Sequence, residues 1–300
     1  MTTLSRRSLL LTPIALAAAS AVSANGKMTL ALNQFTSSGA GYRKSLEGWS
    51  RAGINQVELM NTLLDEFLKT DTLAAARRVF TDLGQTAVQG YTGVNGLWEP
   101  NPNHATAIDN LKKRCEMYAA LGLSHVFAAT ATTQKFTLDD YKAGVDNMRE
   151  AGDVAKQFNM SLRIEFMRPS TFISTLPTLL KMTREAAHPN IAPMIDTYHF
   201  WAGFSKFEDL DLIRHGEIAH VHFQDVTDTP REAWDNNSRL IPGDGICPLI
   251  RILGKLKEKG YAGPLSVELF APKFQQGDPF EVAREIRQKV EAVMRQAHVM

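Results

Sequence analysis

Four short segments in the second half of the chain decide the fold: Arg163-Ile164-Glu165-Phe166, Pro193-Met194-Ile195-Asp196, His220-Val221-His222-Phe223 and Ser266-Val267-Glu268-Leu269. Each is an apolar run typical of a buried strand, and each carries a carboxylate or an imidazole near its end. The carboxyl ends of parallel strands that close into a barrel converge on one mouth. These segments therefore predict late strands whose ends meet at a single site.

The same kind of apolar run recurs along the chain from Met28 onward, and no low-complexity linker interrupts the series. The predicted strands cover residues 29–33, 56–60, 86–90, 125–129, 161–167, 191–196, 218–224 and 265–270. Longer amphipathic stretches alternate with them, which is the pattern of a parallel sheet with helical crossovers. Eight strands is the number of a TIM barrel.

The intervening stretches have the periodicity of helices that pack one face on a sheet. The predicted helices cover residues 42–52, 73–83, 105–121, 138–158, 172–187, 207–214, 249–259 and 279–296, and several are followed by a glycine that can end a helix. We therefore predict an α/β fold, a single (β/α)8 TIM barrel over residues 25–300. A doubly wound open sheet is the alternative. Its glycine-rich phosphate turn is absent, because Ser38-Gly39-Ala40-Gly41 has the wrong spacing.

The charged residues at the ends of the late strands predict a metal site. A carboxylate among Ile, Val, Leu and Phe needs a partner, either a basic side chain or a metal ion. Four such positions in consecutive strands favour the metal, with Glu165, Asp196, His222 and Glu268 as the ligands. Three carboxylates and one imidazole suit Mn²⁺ or Mg²⁺ first, with Co²⁺ or Fe²⁺ as further candidates.

The mature chain resembles the sugar phosphate isomerase/epimerase family of xylose isomerase-like barrels, which includes D-tagatose and D-psicose 3-epimerases, inosose dehydratase and 3-dehydroshikimate dehydratase. The motifs that carry the resemblance follow Glu165 in this order: Asp196-Thr197-Tyr198-His199, His222-Phe223-Gln224-Asp225, Arg239-Leu240-Ile241-Pro242-Gly243-Asp244-Gly245 and Gly260-Tyr261-Ala262-Gly263-Pro264 before Val267-Glu268. The resemblance implies the same four metal ligands. It also implies that Glu165 and Glu268 act as acid and base on opposite faces of the substrate.

Three further residues are predicted to contact the substrate. The resemblance implies that His199 and Arg239 do so, and a forked guanidinium suits sugar oxygens. The alternatives are a loop histidine bonded to backbone and an ion pair of Arg239 with Asp225 or Asp244. Trp98 is predicted to stack on a sugar ring, or else to be a hydrophobic residue that covers the barrel mouth.

The predicted chemistry is proton abstraction next to a carbonyl of a keto sugar or related polyol, through an enediolate. Return of the proton makes the enzyme an isomerase or epimerase, whereas loss of a β-hydroxyl makes it a dehydratase, that is, a lyase. A non-catalytic periplasmic carbohydrate binder on the same barrel is the alternative of a different class.

Residues 1–24 have the pattern of a signal peptide. Arg6 and Arg7 precede an apolar run that is too short to span a bilayer, and small residues follow it. Paired arginines in this place are typical of the twin-arginine signal, although an ordinary secretory signal can also carry them. We therefore expect the twin-arginine export machinery as a partner, a periplasmic or secreted protein, and no membrane anchor.

The charge of the chain argues against nucleic acid as a partner. The formal net charge is +1, and loss of Arg6 and Arg7 with the leader would leave −1. A protein that binds nucleic acid usually presents a basic surface. The expected partner is a small-molecule carbohydrate, and a homo-oligomer is compatible with the sequence.

Overall fold

The computed structural model describes residues 26–300, and within them eight parallel strands form a closed barrel. Around the barrel the order is β1-β10-β7-β6-β5-β4-β3-β2. The barrel strands are β1 (Thr29–Asn33), β2 (Gln56–Leu59), β3 (Thr86–Tyr91), β4 (His125–Ala129), β5 (Ser161–Glu165), β6 (Ile191–Asp196), β7 (Val221–His222) and β10 (Pro264–Val267). Two further strands, β8 (Asp225–Val226) and β9 (Arg239–Leu240), form an antiparallel pair outside the barrel.

Helices follow the strands and cover the outside of the barrel. They are α1 (Gly41–Arg51), α2 (Asn61–Phe67), α3 (Leu73–Thr81), α4 (His104–Ala120), α5 (Leu138–Gln157), α6 (Leu176–Ala186), α7 (Thr197–Ala202), α8 (Leu249–Glu258), α9 (Pro272–Gln275) and α10 (Pro279–Gln296). Short 3-10 helices occur at Gln34–Ala40, Phe207–Leu212, Arg231–Ala233 and Asn236–Ser238. Among the described residues, no helix is long and apolar enough to cross a membrane.

The barrel closes between its first and last strands, which confirms the single TIM barrel and excludes the open sheet. Leu32 of β1 pairs with Val267 of β10 on one side and with Val57 of β2 on the other. All three side chains are fully buried, as expected for strands covered on both faces. The core therefore lies between the barrel and its ring of helices.

The predicted element bounds hold to within a few residues for most of the chain. Gly53 and Gly84 have a positive φ where α1 and α3 end, the conformation expected of helix-ending glycines. The prediction was less accurate near the mouth. The segment 207–214 forms a 3-10 helix over Phe207–Leu212, and α6 begins only after Thr175, whose side chain accepts the N–H of Thr178.

The sequence analysis also missed the β8–β9 pair and the loop between its strands. This loop contains the helical turns Arg231–Ala233 and Asn236–Ser238. Asp225, the first residue of β8, binds the turn that follows β9, because its carboxylate accepts the backbone N–H groups of Gly243, Gly245 and Cys247 at 2.8–3.0 Å. The predicted leader, residues 1–24, lies outside the described residues and stays a prediction.

Candidate metal centre and active site

The four predicted metal ligands lie at the carboxyl ends of neighbouring barrel strands. Glu165, Asp196 and His222 are the last residues of β5, β6 and β7, and Asp196 pairs with His222 in the sheet register. Glu268 follows the last residue of β10, whose Ser266 also pairs with His222. Because these four strands are adjacent in the closed barrel, the fold brings their ends together.

The four side chains are buried and surround one point. Nδ1 of His222 lies 2.8 Å from Oε1 of Glu165, 3.7 Å from Oδ2 of Asp196 and 3.7 Å from Oε2 of Glu268. Each residue offers one ligand atom, and these atoms all lie within 4.8 Å of one another. This spacing is compatible with a single divalent ion, whose ligands bind at about 2.0–2.2 Å.

The chemistry of the cluster also fits a divalent cation. Oδ2 of Asp196 is buried and has no hydrogen-bond partner among the described residues. A buried charged oxygen without a partner is costly, and a bound cation would remove that cost. Three carboxylates and one imidazole nitrogen form a donor set that suits Mn²⁺ or Mg²⁺, with Co²⁺ or Fe²⁺ next.

The two glutamates of the cluster are electrostatically different. Burial raises the pKa of Glu165 to about 7, and the charges of Asp196 and Glu268 act in the same direction against the opposing effect of His222. Burial also raises the pKa of Glu268, although His222 and Arg239 both oppose this. Glu165 can therefore hold a proton near neutral pH, while the neighbouring guanidinium of Arg239 favours the ionised form of Glu268.

Asp196 and His222 behave as an ionised pair at the centre of the cluster. Burial opposes charge on Asp196, but Arg239 and His199 hold the pKa of its carboxyl well below the usual range. Burial likewise opposes charge on His222, yet the carboxylates of Glu58 and Glu165 raise the pKa of the imidazole well above its usual value. In the metal-free protein the protonated imidazole of His222 thus supplies positive charge between the carboxylates.

Arg239 reaches the metal cluster from the start of β9. Its guanidinium donates to Oε2 of Glu268 and lies 3.5 Å from Oδ2 of Asp196. The alternative of an ion pair with Asp225 or Asp244 is wrong, because Asp225 accepts backbone N–H groups and Asp244 pairs with Lys289. Arg239 is 1% exposed, and it lines the cavity above the cluster. Its contact with substrate stays a prediction.

His199 lies between the cluster and the barrel mouth. Its Nε2 is 3.0 Å from Nη2 of Arg239, and its Nδ1 is 3.3 Å from the backbone nitrogen of Arg168. Burial lowers the pKa of His199 to about 3. The backbone N–H of Arg168 and the guanidinium of Arg239 are both donors, and a neutral imidazole accepts from only one of them.

Trp98 lies in the core beneath the mouth, where it is 1% exposed. Its indole nitrogen donates to the backbone oxygen of Ala129 at 3.2 Å, and its own carbonyl accepts from Asn147. It is not among the side chains that line the cavity above the cluster. This placement fits a covering hydrophobic residue and gives no support to stacking on a sugar ring.

Glu58 is the functional residue that the sequence analysis left without a role. From the end of β2 its Oε1 lies 2.9 Å from Nε2 of His222, and its Oε2 lies 3.1 Å from Nε2 of His220. Asn33 also donates to it at 2.8 Å. Its position at the end of an apolar strand was the available signal, the same one that identified Glu165 and Glu268.

A deeper layer of polar side chains supports Glu58 and fills the barrel interior. Nδ1 of His220 lies 3.3 Å from Nη1 of Arg163, which donates to Gln89 at 2.7 Å. Burial lowers the pKa of His220 to about 4 and that of Arg163 to about 10. His220 therefore belongs to the interior network, and His222 alone of the two faces the three carboxylates.

A cavity of about 140 Å³ lies directly above the cluster. Its polar lining consists of Glu165, Glu268, His199, Arg239, Tyr91 and Asn236, and aromatic and apolar side chains form the rest of its wall. Burial raises the pKa of Tyr91 to about 12, so its hydroxyl remains a hydrogen-bond donor at neutral pH. The cavity thus combines two carboxylates, a guanidinium, an imidazole, an amide and a phenol.

A family model described as xylose isomerase-like TIM barrel matches residues 48–295. The chain belongs to this family. The membership confirms the resemblance found in the sequence, and it covers the whole set of strand ends that form the cluster.

Named relatives of this family member include enzymes of two reaction types. It is 28% identical over 256 residues to an inosose isomerase from Halalkalibacterium halodurans, which covers 83% of this chain and 90% of the relative. It is 24% identical over 239 residues to a 3-dehydroshikimate dehydratase from Pseudomonas putida, covering 77% of this chain and 36% of the relative. Among solved structures it is similar to the IOLI protein with a bound zinc atom, with a TM-score of 0.85, 24% identity and coverage of 91% and 100%.

Proposed function

We propose that this protein is a divalent-metal-dependent isomerase or epimerase that acts on a keto sugar or a related polyol such as an inosose. The observation that carries the proposal is the arrangement of Glu165 and Glu268. Both line the cavity, and each offers an oxygen within 4.8 Å of the other around Nδ1 of His222. Two carboxylates in contact with one small cavity can remove and return a proton. The inosose isomerase relatives support the substrate class.

Glu165, Asp196, His222 and Glu268 would hold the ion, with Mn²⁺ or Mg²⁺ as the first candidates. When bound, a divalent ion supplies a Lewis acid that polarises a carbonyl and stabilises the negative charge that develops on proton removal. The IOLI structure contains a zinc atom, and elemental analysis of the purified protein would identify the ion that this protein binds.

The remaining residues of the cavity bind and orient the substrate. Arg239 and the hydroxyl of Tyr91 offer donors to sugar oxygens, and His199 and Asn236 line the same cavity. Glu165, whose pKa is raised to about 7, is the residue proposed to take the proton from the carbon next to the carbonyl. Glu268, which contacts Arg239, donates its own proton to the carbanion from the other face, and proton exchange with water then restores both carboxyl groups.

Dehydration is the second candidate, and the dehydratase relatives favour it specifically. The first step would be the same proton abstraction, after which the β-hydroxyl accepts a proton from the second glutamate and leaves as water, and the carbanion is not reprotonated. The same residues serve both reactions, since only the fate of the carbanion differs.

Incubation of the Mn²⁺-loaded protein with inososes and keto sugars in D₂O tests the proposal. Deuterium incorporation without loss of water supports the isomerase or epimerase, and loss of water supports the dehydratase. Saturable sugar binding without either reaction would instead identify a non-catalytic carbohydrate binder.

We further propose that the protein works in the periplasm or outside the cell, because residues 1–24 have the pattern of an export signal.

A further inference from the structure

A second and larger cavity adjoins the cavity above the metal cluster. The inner cavity measures about 140 Å³ and the outer one about 560 Å³. His199 and Asn236 line both of them. The two cavities therefore meet at these side chains, and the outer one leads to the two glutamates.

The inner cavity is small for a complete ligand site. Sites that enclose small organic ligands measure about 300–1,000 Å³. The inner cavity has less than half the volume at the low end of that range, whereas the outer cavity falls within it. A substrate whose reacting carbon lies between Glu165 and Glu268 therefore has room to continue outward past His199.

The outer cavity has an apolar side formed by the end of α7 and the residues after it. Phe204 is 80% exposed there, next to Ala202 and Gly203, and Pro169 lies on the same wall. A phenyl ring this exposed in a concave site is unusual for a side chain with only a packing role. Its face can receive the C–H face of a sugar ring.

The polar side of the outer cavity carries charges of both signs. Arg168 is occupied, since it donates to the hydroxyl of Tyr198 and the carbonyl of Trp234. Arg231 stacks over Trp234 at 5.5 Å, and neither it nor Glu232 forms an ion pair within residues 26–300. Donors and acceptors thus lie side by side without an excess of positive charge. This suits a neutral ring with hydroxyl groups better than a phosphate.

We propose that the outer cavity is a binding site for a second ring, and that the substrate is a keto sugar linked through a glycosidic bond to another sugar ring. The reacting ring lies in the inner cavity and the second ring lies on Phe204, with its hydroxyl groups toward Arg231 and Glu232. This proposal rests on the proposed function, because the glutamates define which ring reacts.

The experiment compares binding of one reacting unit with and without a second ring. The Mn²⁺-loaded mature protein is titrated by calorimetry with D-fructose, lactulose and isomaltulose, the last two being disaccharides with a fructose unit. We expect the disaccharides to bind at least tenfold more tightly. Phe204→Ala is expected to lower the ratio of disaccharide to D-fructose affinity about tenfold. Leu138→Ala removes an equally exposed side chain, 85%, from the start of α5 and should leave the ratio unchanged.

The outcomes separate this proposal from the proposed function. Equal affinity for D-fructose and the disaccharides, no disaccharide binding, or an unchanged ratio in Phe204→Ala overturns the second-ring site. Tighter binding of D-fructose 6-phosphate than of either disaccharide overturns it in favour of an anion site. Absence of deuterium exchange with every sugar overturns the proposed function, while the affinity ratio still decides whether a second ring binds.

Discussion

The carboxylate of Glu58 lies 2.9 Å from Nε2 of His222, on the edge of the imidazole opposite to the three clustered carboxylates. Nδ1 of the same ring lies 2.8 Å from Glu165. Nε2 thus contacts Glu58, and Nδ1 is the nitrogen that can bind an ion. Partners of this kind fix the tautomer of a metal-ligating histidine and increase its basicity.

Glu58→Gln should therefore weaken metal binding while the fold persists. We expect the dissociation constant for Mn²⁺ to rise about 10- to 100-fold, measured by calorimetry. Glu66→Gln, on the exposed surface of α2, is the matched control and should bind Mn²⁺ like the wild type. Unaltered Mn²⁺ affinity in Glu58→Gln would show that the contact of Glu58 with His222 does not contribute to metal binding.

Glu268→Gln should retain the fold and lose turnover. Removing a general acid or base lowers the rate by about 10²- to 10⁴-fold. The measurement is deuterium exchange from D₂O at a Mn²⁺ concentration that saturates the variant, so that weaker metal binding is not mistaken for lost chemistry. Exchange at the wild-type rate would remove Glu268 from the mechanism.

Arg239→Gln should destabilise the metal-free protein, because it removes one of the two buried cationic groups beside Glu268 and Asp196 and leaves only the imidazole of His222. Loss of one partner of a buried ion pair costs about 3–5 kcal/mol of unfolding free energy. Mn²⁺ should restore more stability to the variant than it adds to the wild type, since the ion supplies the missing positive charge. Denaturant unfolding with and without Mn²⁺ measures both effects.

Arg284→Gln is the control for this comparison, because Arg284 forms an exposed ion pair with Glu281 on α10. Such pairs contribute only about 0–1 kcal/mol. An Arg239→Gln protein that is as stable as Arg284→Gln without metal would contradict the importance of the buried pair.

His125 should make stability depend on pH. Burial lowers its pKa to about 3 in the folded protein, against about 6.5 when unfolded. The unfolded state therefore binds a proton first as the pH falls below 6.5, so stability present at neutral pH is lost between pH 6.5 and 3. In His125→Gln, unfolding free energy should fall by roughly 1.4 kcal/mol less than in wild type between pH 7.5 and 5.5. Parallel curves for the two proteins would show that folding does not lower the pKa of His125.

Replacement of both Arg6 and Arg7 by lysine should reduce export. In a Gram-negative host we expect the full-length chain to accumulate in the cytoplasmic fraction, because the twin-arginine receptor reads the arginine pair. Immunoblots of cell fractions measure this. Unchanged periplasmic protein in the lysine variant, or in a host without the twin-arginine translocase, would favour the ordinary secretory route.

The sequence by itself determined the barrel and the four clustered side chains. Apolar runs of strand length at regular intervals define the barrel strands, and residues at the carboxyl ends of parallel strands must converge. For this reason Glu165, Asp196, His222 and Glu268 could be placed together although they span about a hundred residues.

Only the tertiary structure decided what surrounds the cluster. Glu58 and His222 are 164 residues apart and meet because β1, which carries Asn33, closes the barrel between β2 and β10. Arg239 reaches Glu268 because the β8–β9 pair directs its side chain inward. Trp98 can be buried because its indole nitrogen donates to the backbone oxygen of Ala129 on β4. Local patterns encode which side of a strand is buried, whereas contacts between distant elements depend on closure and loop packing, which no local pattern records.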